Sequence, residues 1–95
     1  MLLEDAKTLA LLHMEEHGVD DKFTFEFENC KRTLGRCHYN SQKITLSKWY
    51  VELNRQDDVE DTILHEIAHA LSYIRYGRKG MGHGHLWKKV CRQIG

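Results

Sequence analysis

The 95-residue sequence contains the run Thr62-Ile63-Leu64-His65-Glu66-Ile67-Ala68-His69-Ala70-Leu71, in which two histidines and a glutamate fall in the HExxH spacing. Side chains four apart share one face of a helix, so both imidazoles can bind a single Zn²⁺ while Glu66, beside the first, reaches a metal-bound water. The chemistry this spacing points to is hydrolysis. Zinc on three neutral imidazoles lowers the pKa of its water toward ~7. Glu66 then takes the proton as the water attacks a peptide carbonyl polarised by the metal, and returns it to the leaving amine.

A catalytic zinc site takes three protein ligands and keeps one position open, so a third donor is required. No Asp or Glu follows Glu66, which excludes a downstream carboxylate, and HExxHxxGxxH fails because Ser72 and Arg75 occupy its glycine and histidine positions. His83, His85 and Cys91 remain. His83 comes first, because its place in Gly82-His83-Gly84 gives a loop through which an imidazole can approach closely. His85 is second, and Cys91 last, since a lone helical cysteine usually packs. For the charge that develops on the carbonyl oxygen, Tyr73, one turn beyond His69, is the candidate donor, ahead of His85 and Arg75. Asp61, one turn before His65, either orients that imidazole or complements the positive end of its helix.

Such a site needs a rigid frame, and an α+β one is written around it. Val59, Ile63, Ile67, Ala70, Leu71 and Ile74 recur at helical spacing and form a stripe for burial, leaving Thr62, His65, Glu66, His69 and Tyr73 on another face. Asp57 or Asp58 is expected to cap this helix and Gly77 to stop it. Before it, Glu4 to His17 reads as a helix with Leu2, Leu3, Ala6, Leu9, Ala10 and Met14 as its apolar face and Gly18 as its end. Its His13 and His17 read as surface residues rather than ligands. Phe23 to Glu28 alternates apolar and polar side chains as a strand does. Two further strands are expected near Leu34 to Tyr39 and Lys43 to Leu46, turned through Asn40-Ser41. Ser47 suits the N-cap of a short helix through Trp49, Tyr50, Val51 and Leu53. A last helix from His85 to Ile94 keeps Leu86, Val90 and Ile94 four apart, with Trp87 read as a core anchor.

From Leu34 onward the sequence resembles the SprT-like zinc metallopeptidases, the family of the SprT proteins and the Spartan protease core. Leu34-Gly35-Arg36-Cys37 resembles the short segment that opens the family's sheet, and Ile44-Thr45-Leu46-Ser47 its I-x-L-S strand. Thr62 to Leu71 resembles its active-site helix, and Gly82-His83-Gly84-His85-Leu86-Trp87 its GHGxxW/F element. The resemblance implies His65, His69 and His83 as ligands of one Zn²⁺ per chain, Glu66 as general base, and His85 at a variable position. It also implies a single SprT-like domain over 1–95 with a minimal zincin-like core: a small three-stranded sheet packed with an N-terminal helix, the HExxH helix and a C-terminal helix. The zinc ribbon of longer relatives has no counterpart, because Cys30, Cys37 and Cys91 form no CxxC pair.

The chain holds 14 basic and 14 acidic residues, but every acidic one lies at or before Glu66. Arg75, Arg78, Lys79, Lys88, Lys89 and Arg92 follow unopposed and flank the third-ligand loop, a pattern that fits either a DNA-attracting rim or a solvated face balancing the acidic half. SprT-like proteases act on proteins attached to DNA, which the resemblance adds to the first reading. Trp49, Tyr50 and Tyr76 could stack on bases, although core packing is the expectation for each. No run approaches the ~20 apolar residues of a membrane span. An odd cysteine count without a secretory signal fits a reducing compartment. A monomer acting on protein, cytoplasmic or DNA-associated, is therefore expected. The alternatives are a nucleic-acid-binding module with a structural zinc, and a metal hydrolase of non-peptide substrates.

Overall fold

The computed structural model describes residues 1–94, which form four helices and a three-stranded sheet. Helix α1 (Leu3–Glu16) is followed by strands β1 (Thr24–Glu28), β2 (Gly35–His38) and β3 (Lys43–Ser47). Then come α2 (Lys48–Leu53), α3 (Gln56–Tyr76), a 3₁₀ turn (Gly77–Gly80) and α4 (His85–Ile94). The α+β class read from the sequence is the one observed.

Strand order is β1-β3-β2, with β1 parallel and β2 antiparallel to β3. Central placement explains why Ile44 through Ser47 are all buried, polar Thr45 and Ser47 included. The polar pair is satisfied locally: Thr45 Oγ1 lies 3.2 Å from His38 Nε2, and Ser47 Oγ donates to the Cys30 carbonyl. Ser47 Oγ also accepts from the Tyr50 backbone N–H, the N-cap expected of it. The hairpin turn runs through Asn40-Ser41 as expected, with Gln42 in the left-handed region at φ 54°.

Helix α3 buries Val59, Ile63, Ile67 and Ala70 completely against the rest of the core, whereas Ile74 is half-buried. Its start differs from expectation. Arg55 is the N-cap and no side chain caps the helix, so Asp57 and Asp58 lie inside the first turn, where their charges favour the positive helix end. The backbone carbonyl of Asp58, which also accepts from the Thr62 hydroxyl at 3.2 Å, receives the Tyr50 hydroxyl at 2.7 Å, which ties α2 to α3. Gly77 ends the helix at φ 62°, as expected.

On α1 only Ala6, Ala10 and Met14 are fully buried, and Leu2 is 66% exposed rather than part of the apolar face. Gly35 marks the close crossing of β2 and α3. A Cβ there would stand 2.9 Å from the Thr45 carbonyl oxygen and 3.3 Å from the Thr62 methyl group. Glycine thus lets the sheet edge come down beside the helix that carries His65 and Glu66.

Candidate metal centre

His65 and His69 project from one face of α3, as the four-residue spacing requires. His83 reaches them from the loop between the 3₁₀ turn and α4. That loop is anchored on α3 itself: the buried Ser72 hydroxyl donates to the Gly80 carbonyl at 2.8 Å. Gly80 packs so tightly there that a Cβ would fall 2.2 Å from the Ser72 carbonyl oxygen. Gly82, at φ 80°, then turns the chain so that His83 points back to the helix.

The three Nε2 atoms form a nearly equilateral triangle, with sides of 3.3 Å (His65–His69), 3.1 Å (His69–His83) and 3.4 Å (His65–His83). Nitrogens held about 2.0–2.1 Å from one tetrahedral ion stand about 3.3–3.4 Å apart, so this triangle fits a metal ion. Three imidazole lone pairs turned on one another repel unless a cation sits among them. Protonation is opposed as well: burial, then the neighbouring His65 and His83, pushes His69 down to about 4, and burial followed by His83 lowers His65. Neutral rings are what a metal requires.

Among the described residues, His65, His69 and His83 are the group that converges here; exposed His85 and half-buried Cys91 do not join it. Cys91 instead lines a cavity of about 220 Å³ with His65, Trp87, Asp61, Leu64 and Ile94. Glu66, 6% exposed, is pushed up to about 7 by burial. It shares with His65, Asp61 and Thr62 the wall of a second cavity of about 440 Å³, whose opposite side is Thr33, Leu34 and Gly35 at the sheet edge. Asp61 is exposed and belongs to both cavities.

Two neighbours of the triangle escaped the sequence reading. Tyr39 Oη lies 3.3 Å from His69 Nδ1, so a ring proton on Nδ1 can be held there while Nε2 faces the centre. The Trp87 ring touches all three imidazoles, with centroids 4.9, 4.9 and 4.6 Å from His65, His69 and His83, and stacks on His69 at 14°. It therefore packs on the core and on the site at once. Tyr73 stands beside Tyr39, ring centroids 5.0 Å apart. Arg75, Arg78, Lys79, Lys88, Lys89 and Arg92 are all exposed, and none of them pairs with a carboxylate among the described residues. Trp49 proves 40% exposed, its indole bonded to Asn29 and covered by Lys31 at 4.5 Å, whereas Tyr50 and Tyr76 pack on the core.

Residues 7–95 match the SprT-like family. The chain belongs to that family. This SprT-like chain is 25% identical over 93 residues to Protein SprT of Pseudomonas aeruginosa, in strains LESB58, UCBPP-PA14 and PAO1 alike. The match takes in 95% of the chain but 56% of each relative, so it spans about half their length. In fold the SprT-like chain is similar to the crystal structure of the metallopeptidase zymogen of Methanocaldococcus jannaschii jannalysin. The TM-score is 0.70 at 18% identity, over 93% of this chain and 79% of that one. No described helix is long and apolar enough to cross a membrane.

Proposed function

We propose that this SprT-like chain is a zinc-dependent endopeptidase, with His65, His69 and His83 holding one Zn²⁺ and Glu66 as general base. The observation that carries the reading is the triangle of imidazole nitrogens opening beside a cavity that a buried carboxylate also faces. Structural zinc sites close with four protein ligands, whereas among the described residues three converge here, as a site that keeps a position for reactants requires. Zinc bound there supplies Lewis acidity and an acidified water.

The remaining work falls to the chain. Glu66, held near neutrality in its affinity for a proton, can accept one and give it back within the same turnover. The Tyr39 hydroxyl keeps His69 oriented, and Tyr73 beside it serves as donor to the developing oxyanion. Strand β2 is an edge of the sheet, so its outer backbone groups can pair with an extended peptide laid along the cavity. The like similarity of a metallopeptidase zymogen in fold supports the same reading.

The substrate proposed is protein bound or crosslinked to DNA, drawn in by the unpaired cations around the His83 loop. Metal analysis together with cleavage of a DNA-binding protein, with and without DNA, tests both parts. Glu66→Gln is expected to retain zinc and lose cleavage; wild-type rates in that variant would remove Glu66 from the catalytic role, and no cleavage by the zinc-loaded wild type would leave a nucleic-acid-binding module. Charge reversal at Lys88, Lys89 and Arg92 is expected to abolish stimulation by DNA and spare basal cleavage. Equal wild-type rates with and without DNA would leave a general peptidase.

A further inference from the structure

A second convergence of metal-binding side chains lies at the end of α1, outside the site described above. His13, Glu16 and His17 follow one another at i, i+3 and i+4, and a ligand atom from each lies within 4.8 Å of the others. The two imidazoles run nearly parallel, at 9° with centroids 6.3 Å apart. Contrary to its reading as a surface residue, His13 is half-buried where α1 packs on α3, and its Nε2 lies 2.7 Å from Oε2 of Glu60 on α3.

That bond fixes the tautomer. With Nε2–H donating to the Glu60 carboxylate, the neutral His13 ring keeps its lone pair on Nδ1. Nδ1 is buried without a hydrogen-bond partner, and the nearest charged atom, Glu16 Oε2, stands 3.6 Å away. Two acceptors that face each other with no donor between them are unfavourable, because a buried acceptor left unpaired has given up its bond to water for nothing. A cation between them satisfies both. Histidines that bind metals characteristically donate their second ring N–H to a carboxylate, which is the bond His13 makes.

We propose that His13 Nδ1, the Glu16 carboxylate and the His17 imidazole form a second metal site, specific for a borderline divalent ion such as zinc, with Glu60 as its positioning residue. Imidazole with carboxylate suits zinc, nickel and copper and disfavours calcium and magnesium. Tetrahedral ligands stand about 3.3–3.4 Å apart, so the His13–Glu16 pair needs little adjustment. Glu16 is exposed at the helix end and free to make it. Through the His13–Glu60 bond an ion held on α1 also braces α3, five residues before His65.

Zinc chloride titrated calorimetrically into the chelator-stripped full chain tests this. Wild type is expected to bind two equivalents and Glu16→Ala/His17→Ala one, with the ion at His65, His69 and His83 unaffected. Glu60→Gln, which keeps the shape of Glu60 and weakens its hold on His13, is expected to lower the affinity of the second equivalent alone by about 10- to 100-fold. A His65→Ala/His69→Ala/His83→Ala variant that remains folded by circular dichroism should bind one equivalent. A single equivalent in wild type, or two in Glu16→Ala/His17→Ala, overturns the proposal without touching the catalytic reading.

Discussion

The Ser72 hydroxyl donates to the Gly80 carbonyl at 2.8 Å, and this one bond couples the helix that carries two of the clustered imidazoles to the loop that carries the third. Ser72 is fully buried, three residues after His69, so the two functions of the helix, projecting donors and seating the loop, fall within a single turn. Ser72→Ala leaves the Gly80 carbonyl without its donor. It is expected to cost about 1–3 kcal/mol in denaturant unfolding, and to weaken zinc at least tenfold in a chelator competition. Gly80→Ala, whose Cβ meets backbone at 2.2 Å, should do more damage than Ser72→Ala. Unchanged affinity in both variants would separate the loop anchor from the site.

Tyr39 and Tyr73 are neighbours whose proposed roles can be separated by experiment. Tyr39→Phe removes the oxygen next to His69 Nδ1, so zinc affinity should fall about 10- to 100-fold. Tyr73→Phe should instead lower kcat by about 10- to 100-fold, at unchanged zinc affinity, because a donor to the oxyanion acts only in the transition state. Full kcat in Tyr73→Phe would remove it from the mechanism.

The buried Glu66 carboxyl makes the metal-stripped chain sensitive to pH in a defined direction. Its proton is held up to about pH 7 in the folded chain against an ordinary value of 4.5. The folded state is thus favoured below 4.5, and this contribution is lost as pH rises through 7, in total about 3 kcal/mol. Glu66→Gln does not ionise. The stability of that variant relative to wild type should therefore grow by this amount between pH 4.5 and 8 in chemical denaturation, and a difference that stays constant with pH would contradict the burial argument.

The three thiols should react in a fixed order. Cys30 is lowered to about 6 by the Thr33 hydroxyl, with backbone N–H groups and Arg36 adding to it. Burial, with Glu66 nearby, pushes Cys37 up to about 12, and burial also raises Cys91. At pH 7 a soluble alkylating reagent should label Cys30 at least ten times faster than the other two, by mass spectrometry of peptides. Thr33→Val should slow that labelling.

What could be read from the sequence follows the reach of the interactions. Helical period exposed α3 and its buried stripe, and glycine flanks singled out His83, because both are properties of adjacent residues. Strand alternation found β1, and the Asn40-Ser41 turn signal between two short runs found β2 and β3. The parallel pairing of β1 with β3 left no trace, since it depends on which side of β3 the hairpin strand takes. Tyr39 meets His69 across 30 positions, a contact without periodicity. Trp87 was legible as a packing residue, but its contact with three imidazoles exists only once α4 has docked on α3. The same holds for His13, whose partner Glu60 lies 47 residues away.

The contact of Trp87 with all three imidazoles gives the site its own optical reporter. An indole that stacks on His69 and meets the edges of His65 and His83 changes its emission when those rings are protonated or draw electron density toward a cation. The second indole, Trp49, is engaged with Asn29 and Lys31 instead, so Trp49→Phe leaves a single-tryptophan chain whose fluorescence follows the events among the three histidines without an added label.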